Sequence, residues 1–405
     1  ARCGWASWHS NEYGIDEHMA LLEAIGSEDQ ALITVGYPVA LDNSINPTSC
    51  INLSSNSNLS QMVKRAMAWV AYVNAMPSDT TIIGVDDHGF DWGTSGEWAQ
   101  QRVNNGHPQP YGIKHWEIGN EVYYHPDQIS PEQYGQDYLI FQEAMKRVDP
   151  SINVAINARL DNPSSEWNAR LLSTVGSAVD ALSVHLYDPN IAYDPDRKQA
   201  IMAGARQIED DLVQLRHLIT TNTNRIDEIS IFVSEMGIAY NLDETDPLVW
   251  NNLLSAIHGV DSIGVLVELS ADYNIAIGIK HWLHGAAHDA DIHFDWDTRK
   301  RYKRPDYFAL QMWTNHFGDI LVENTVTSDK FDVNRRYGSI AAQHGIPYLV
   351  AHTSITDEKL YLLVINRNLE DSIKTAIHIK GFIPKANAFI YTLNGPSVDS
   401  TNEYD

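Results

Sequence analysis

The sequence predicts an α/β fold, a (β/α)8 TIM-type barrel followed by a C-terminal antiparallel β-sandwich. Over most of the chain, short runs rich in Ile and Val alternate with helix-like segments, which is typical of parallel strands joined by helices. Near the C-terminus the pattern changes to short strand-like runs separated by Asp, Asn, Gly and Pro. We therefore expect a barrel domain at 1–318 and a sandwich domain at 319–405.

Six barrel strands are predicted, and most are apolar along their whole length, as strands covered on both faces are. They are Ala31–Gly36, Ile113–Ile118, Ile152–Ala158, Ala181–Tyr187, Ile229–Ser234 and Ile275–His281. A complete barrel has eight strands. The helix predicted over Gly14–Gly26 should also follow a strand, but only a short Trp-rich segment precedes it. The first strands are therefore expected to lie hidden in that segment or to be absent from this chain.

Two helices have clear sequence signals. Ser130 stands before Pro131, with Gln133 next but one, which predicts a capped helix start. A second helix is predicted from an apolar stripe at helical spacing, formed by Ile201, Ala205, Ile208, Leu212, Leu215 and Ile219. The sandwich strands are predicted at Tyr348–His352, Lys359–Asn366, Ile373–Ile379 and Ala388–Leu393.

The amino-acid composition indicates which classes of binding partner the protein can have. The formal net charge of -25 argues against nucleic acid and anionic membranes, because phosphate groups would be repelled, and it suits a neutral sugar. No apolar run is expected to span a membrane. Cys3 and Cys50 can form a disulfide or remain free, and Asn52 and Asn58 begin N-glycosylation patterns. These features favour a secreted protein, with a cytoplasmic location as the alternative.

Two glutamates stand where predicted barrel strands end, which is where barrel enzymes place their active sites. Gly119, Asn120 and Glu121 close one strand, and Glu235 closes another. Glycoside hydrolysis needs one carboxyl to protonate the leaving oxygen and a second to attack the sugar or activate water. Each glutamate alone also fits a solvated turn or a salt bridge at the rim. The pair predicts a hydrolase, with Asn120 able to bind a sugar hydroxyl.

Further polar and aromatic residues end two other predicted strands. His185 and Tyr187 lie two apart and face the same side, so they are expected to contact substrate or nucleophile. Trp282 can stack on a sugar ring. Each of these residues also fits a barrel core. A histidine- and aspartate-rich segment follows, at His281, His284, His288, Asp289, Asp291 and His293, and a polar loop is favoured there over a metal site. No metal or other cofactor is expected.

The segment Asn105–Glu121 resembles the acid/base region of family 51 glycoside hydrolases, which are mainly α-L-arabinofuranosidases. Supporting motifs extend the resemblance over nearly the whole chain. These motifs are Glu12–Glu17, Tyr307–Gln311, Val364–Arg367, Leu393–Pro396 and Thr401–Asn402. The resemblance implies that Glu121 is the acid/base, Asn120 its sugar-binding neighbour and Glu235 the nucleophile of a retaining mechanism. It also implies that His185 and Tyr187 form a strand-end pair and that a homo-oligomer is expected.

Two features depart from the family pattern. Ser234-Glu235-Met236-Gly237 lacks the tryptophan that the family has soon after the nucleophile. The family also has a leading segment with the first barrel strands, so a second chain completing the barrel is an alternative. The leading prediction is an exo-acting α-L-arabinofuranosidase on plant or algal polysaccharide. The alternatives are a structural or carbohydrate-binding protein with a hydrolase fold, and a same-clan endoglucanase or xylosidase.

Overall fold

A computed structural model of the protein describes residues 13–27, 31–37, 57–160, 166–187, 197–223, 225, 228–238, 252–285, 290–356, 358–385 and 387–402. Cys3, Cys50 and Asn52 lie outside these residues, as does the side chain of Asn58. The chain divides into two compact units. Unit 1 comprises Ala1–Val184 and Gln214–Ser234, and unit 2 comprises His185–Val213 and Glu235–Asp405. The boundary expected between residues 318 and 319 stays a prediction.

One six-stranded sheet follows chain order without a reversal. Its strands are β1 (Leu32–Val35), β2 (His115–Ile118), β3 (Asn153–Asn157), β4 (Ala181–Leu186), β5 (Ser230–Met236) and β6 (Ile275–Lys280). Strands β1 to β4 pair in parallel. Consecutive parallel order is that of a (β/α) barrel, whereas a doubly wound sheet reverses its order at a switch point. The predicted fold class is confirmed, and all six predicted strands are found within two residues of their expected bounds.

Nine helices are assigned among the described residues. They are α1 (Ile15–Ile25), α2 (Ser57–Asn74), α3 (Ser95–Asn104), α4 (Pro131–Val148), α5 (Glu166–Val175), α6 (Arg197–Ile201), α7 (Gly204–Asn222), α8 (Leu253–Tyr273) and α9 (Pro305–Asn315). The predicted apolar stripe is buried from Ala205 to Ile219 in α7, whereas Ile201 belongs to the separate helix α6. The sequence therefore predicted the buried face correctly and missed the break between the two helices.

Helix α4 begins as its sequence predicts. The Ser130 side chain accepts a hydrogen bond from the Gln133 amide, and Pro131 occupies the first turn. The Gln133 side chain donates to Asp137. Inside unit 1, α4 buries Tyr138 completely, and its hydroxyl donates to the carbonyl of Val154 in β3 at 2.7 Å. This contact fixes the helix against the sheet while satisfying a polar group that burial would otherwise destabilise.

Unit 2 carries three small sheets. The first contains β7 (His284–Gly285), β8 (Ile292–Phe294) and β9 (Arg301–Lys303). The second contains β10 (Ile320–Leu321), β13 (Leu349–Ile355) and β14 (Leu360–Asn366), and the third pairs β11 (Lys330–Val333) with β12 (Gln343–Pro347). The segment after Gly285, which the sequence suggested was a loop, therefore forms part of a sheet where it is described.

Two of the four predicted sandwich strands are confirmed as β13 and β14. The other two predictions, Ile373–Ile379 and Ala388–Leu393, are wrong, because neither segment is assigned as a strand. Their apolar residues are exposed, for example Ile377 at 59% and Phe389 at 89%. Alternation predicts a strand only where a second strand supplies hydrogen bonds, and among the described residues none pairs with these segments.

Helix α8 corrects one expectation from composition. It has 21 residues and is long and apolar enough to cross a membrane, judged by length and composition alone. Yet 61% of its apolar window is buried inside the protein. It also carries Asp261, which receives two hydrogen bonds from Arg367 at 2.7 and 2.8 Å. Burial and a buried ion pair are typical of a core helix.

Candidate active site

The turn after β2 places Glu121 through its backbone. Gly119 has φ +80°, and a Cβ there would lie 2.6 Å from Val122 Cγ2 and 3.0 Å from Tyr37 Cβ. Only glycine fits this position without displacement. Two residues later, Glu121 adopts the left-handed conformation, with φ 48° and ψ 37°. That conformation costs a residue other than glycine about 1–3 kcal/mol and is found preferentially at functional sites.

Residues of neighbouring strands and of helix α4 in unit 1 form hydrogen bonds with this turn. The Val122 amide donates to Asn157 Oδ1 at 3.4 Å, and Asn157 Nδ2 donates to Ser183 Oγ at 2.9 Å. Tyr134 donates from its hydroxyl to the Ile118 carbonyl at 2.6 Å and accepts from the Asn157 amide. Burial raises the pKa of Tyr134 well above its ordinary value, so its hydroxyl stays protonated as a donor.

Tyr37 provides a second support for the turn. Its Cβ lies beside Gly119, and its hydroxyl donates to Asp137 Oδ2 of helix α4 at 2.6 Å. Burial and then the hydrogen bond to Asp137 raise the pKa of Tyr37 far above its ordinary value. The phenol therefore remains a hydrogen-bond donor at neutral pH and links the segment after β1 to helix α4.

The surface around Glu121 is polar and aromatic. Asn120 and Glu121 are both half-buried. Tyr124, in the 3-10 turn that follows Glu121, is exposed, and the Arg159 guanidinium lies 5.4 Å from its ring centroid. A half-buried carboxyl beside an amide and an exposed aromatic ring is chemically suited to bind a sugar and exchange a proton with it.

Glu235 lies in unit 2, within β5, and is held by side chains. The Tyr187 hydroxyl donates to Glu235 Oε2 at 2.5 Å. His185 Nδ1 lies 3.6 Å from the same oxygen, and its side chain is only 3% exposed, whereas that of Glu235 is 27% exposed. The sequence-predicted residues His185, Tyr187 and Glu235 are therefore brought together. A hydrogen bond to one carboxylate oxygen fixes the orientation of the other.

Two further residues extend this cluster in unit 2. His281 contacts Tyr187 edge to face, with ring centroids 6.1 Å apart, and stacks on Trp282 at 4.2 Å. Trp282 itself is 44% exposed. Gly237 lies against Tyr187, because a Cβ there would be 3.2 Å from Tyr187 Cε1. An aromatic surface thus runs from the Glu235 carboxylate to an exposed indole.

The histidine-rich segment after β6 is engaged in other contacts where it is described. His284 Nε2 lies 3.2 Å from Arg301 Nε, and Asp291 Oδ1 lies 3.2 Å from Lys280 Nζ. His288 and Asp289 lie outside the described residues. Within the described part of the chain, no three His, Cys, Asp or Glu side chains are grouped as metal ligands.

A cavity of about 850 Å³ opens elsewhere in unit 2. Residues of α7, α8 and the C-terminal strands line it, including Asp261, Glu268, His352 and Arg367. None of the predicted site residues contributes to it. Cavity size alone therefore does not identify the candidate site, which rests on the chemistry of the strand ends.

The sequence interpretation missed two buried polar residues near the acidic turn. Asn157 closes β3 and is 1% exposed, and its side chain contacts both neighbouring segments. Glu117 lies within β2, is also 1% exposed, and accepts a hydrogen bond from Thr34 at 3.1 Å. Each was visible as a polar residue inside or at the end of an apolar run, which is costly unless the group is paired or used.

Comparisons with known proteins agree with the family resemblance that the sequence motifs indicate. Residues 1–200, just under half of the chain, match the family profile described as the alpha-L-arabinofuranosidase 1 domain. Alpha-L-arabinofuranosidase C of Emericella nidulans is 25% identical over 219 residues, which cover 51% of this chain and 35% of that protein. The intracellular exo-alpha-(1->5)-L-arabinofuranosidase 1 of Bacillus subtilis is 22% identical over 324 residues, which cover 76% of this chain and 63% of that protein. The chain matches about a third of the length of the first relative.

Solved structures support the fold. The α-L-arabinofuranosidase of Thermotoga maritima has a TM-score of 0.68 at 23% identity, covering 91% of this chain and 67% of that chain. The family 51 enzyme of Thermotoga petrophila has a TM-score of 0.66 at 22% identity, with the same coverage. The resemblance to family 51 arabinofuranosidases that the sequence motifs indicated is confirmed.

Proposed function

We propose that this chain, a relative of the family 51 α-L-arabinofuranosidases, is a retaining glycoside hydrolase that removes terminal α-L-arabinofuranosyl groups from polysaccharide. One observation carries the proposal. Glu235, near the end of β5, has one carboxyl oxygen 2.5 Å from the Tyr187 hydroxyl, which donates to it, and its side chain is 27% exposed. An oriented, accessible carboxylate of this kind suits a nucleophile. The names of the relatives supply the sugar.

Each proposed residue has a defined task. Glu235 attacks the anomeric carbon as the glycosidic C–O bond breaks, and Glu121 gives its proton to the leaving oxygen. In the second step Glu121 removes a proton from water, which attacks the same carbon and releases Glu235. Asn120 and His185 bind sugar hydroxyls, and Trp282 stacks on a sugar face. Retention requires that the two carboxyls converge to about 5–5.5 Å.

Two variants test the assignment with aryl and oligosaccharide arabinofuranosides. Glu235→Ala should lower kcat on both substrates by about 10⁴-fold or more, because no nucleophile remains. Glu121→Ala should lower kcat/KM on oligosaccharide by about 10²–10⁴-fold and spare kcat/KM on an aryl substrate whose leaving group needs no proton. Its kcat on the aryl substrate should still fall, because the second step lacks its base. Glu228→Ala is the matched control, since Glu228 is 66% exposed and ion-paired with Arg225. If both active-site variants keep full activity, the proposal is wrong.

A further inference from the structure

A basic hairpin stands out in this acidic chain. Five of the six residues from 299 to 304 are Arg or Lys, in a protein with a formal net charge of -25. They follow the turn between β8 and β9. Arg304 is buried and donates to the Ala290 carbonyl, so it serves the fold. The other four cations are exposed: Arg299, Lys300, Arg301 and Lys303.

These four cations have no ion-pair partner among the described residues. Among the residues that the structure describes, no carboxylate lies within ion-pair distance of any of them, whereas Arg170, Arg206 and Arg225 each have such a partner. Asp295 instead holds the turn, accepting hydrogen bonds from the amides of residues 297 and 298 and from Thr298 Oγ1. Arg301 Nε donates to His284 Nε2 at 3.2 Å, and the remaining N–H groups of the four cations can bind an external anion.

Aromatic rings are interleaved with the cations. Trp296, at the turn, is 63% exposed and packs edge to face against Phe294 at 4.7 Å. The Arg299 guanidinium lies 5.4 Å from the Trp296 centroid, and that of Arg301 lies 5.2 Å from Phe294. An exposed indole suits the apolar face of a sugar, and a guanidinium held beside it suits a carboxylate on that sugar.

The hairpin is continuous with the Glu235 cluster inside unit 2. The amides of Asp291 and Ile292 donate to the carbonyls of Trp282 and Leu283, both at 2.9 Å. Trp282 stacks on His281, which contacts Tyr187, the hydrogen-bond partner of Glu235. A glycan with one sugar at Glu235 can therefore extend past Trp282 onto the hairpin.

We propose that the hairpin formed by β8, β9 and their turn, with Trp296 at its tip, binds uronate residues of the polysaccharide from which the sugar is removed. The proposal rests on the proposed function, since it assigns the leaving-group side of that site. The hairpin has four basic and two acidic residues between 294 and 303, in a protein of net charge -25. That weak local excess favours a sparsely charged carboxylate chain over a densely sulfated or phosphorylated one.

Binding tests the proposal independently of turnover, in the Glu235→Gln background. Titration calorimetry at low ionic strength compares a uronate-bearing arabinofuranosyl polysaccharide with its carboxyl-reduced form. The hairpin variant carries Arg299→Gln, Lys300→Gln and Arg301→Gln. The matched control carries Lys374→Gln, Lys380→Gln and Lys385→Gln, which removes three exposed cations from the C-terminal segment. The hairpin variant should bind the acidic polymer about tenfold more weakly and the reduced polymer unchanged.

Three results would overturn the hairpin proposal. The hairpin and control variants lose equal affinity, or the parent binds both polymers equally, or a sulfated galactan of matched charge binds as tightly and depends on the hairpin as strongly. Trp296→Ala should weaken binding of both polymers by about tenfold, because stacking does not need charge. Hydrolysis of an aryl arabinofuranoside by the chain with Glu235 intact should be unchanged in the hairpin variant. If the unaltered chain does not hydrolyse the aryl arabinofuranoside, the proposed function is contradicted, whereas the binding measurements still decide the hairpin proposal.

Discussion

The two glutamates proposed for catalysis are positioned by different parts of their surroundings. Glu235 continues a regular strand, and the Tyr187 hydroxyl and the His185 ring hold its carboxylate. Glu121 lies beyond the end of its strand, in a left-handed backbone conformation that follows Gly119. The carboxyl of the proposed nucleophile is therefore positioned by side-chain hydrogen bonds, and that of the proposed acid/base by the path of the backbone. Substitutions of the supporting residues should therefore affect the two glutamates differently.

Among substitutions of the residues that position the two glutamates, the largest effect is expected from Gly119→Ala. A Cβ there would overlap Val122 and Tyr37, so the turn must move and Glu121 with it. A displacement of about 1 Å lowers activity by about 100-fold, and we expect that loss in kcat/KM on oligosaccharide. The matched control is Gly112→Ala, where φ is +74° and nothing lies within 4 Å of the added Cβ.

The control should show the cost of the backbone conformation alone, about 1 kcal/mol of unfolding free energy, with activity retained. Kinetics and denaturant unfolding of both variants measure the difference. Equal activity in the two variants would contradict a backbone-positioned acid/base.

Tyr187→Phe tests whether side-chain hydrogen bonds position Glu235. Removing the hydroxyl that donates to Glu235 should lower kcat by about 30-fold, since a hydrogen bond to a charged group contributes about 1.5–3 kcal/mol. The midpoint of unfolding should change little. Tyr391→Phe, on an exposed ring, is the control. A loss of stability without a loss of kcat would show that Tyr187 supports the fold and not the nucleophile.

The smallest effect on activity is expected from Asn157→Ala. This change removes the long 3.4 Å hydrogen bond to the Val122 amide and leaves Ser183 Oγ without its donor. We expect about a fivefold loss of kcat, with about 1–3 kcal/mol lost from the free energy of unfolding. Activity at the unaltered level would mean that Gly119 and the residues beneath it hold the turn without Asn157.

Sequence reasoning succeeded where local pattern and tertiary structure agree. The six strands of the sheet are mostly apolar and each was predicted, and nearly all residues of β3, β4 and β5 are buried. The start of α4 was also predictable, since Ser130 and Pro131 satisfy the helix end through local contacts alone. Glu121 and Glu235 could be proposed as site residues because a carboxyl at a strand end interrupts an apolar run, and their roles stay a prediction.

Other features depend on partners that the sequence does not place. Ile373–Ile379 alternates like a strand yet has no strand beside it among the described residues. The role of Asn157 depends on Val122 and Ser183, which are distant in sequence. Strand β8 lies in a segment that was interpreted as a loop, because the pairing of β8 with β9 is set by the Asp295 turn and not by an apolar pattern.

Covalent trapping tests the central claim most directly. An arabinofuranose-configured epoxide should alkylate the nucleophile once, and peptide mapping by mass spectrometry identifies the modified residue. The account predicts a single adduct on Glu235, and slower labelling in Tyr187→Phe. An adduct on Glu121 or Glu117, or no adduct from a chain that hydrolyses aryl arabinofuranosides, would contradict it.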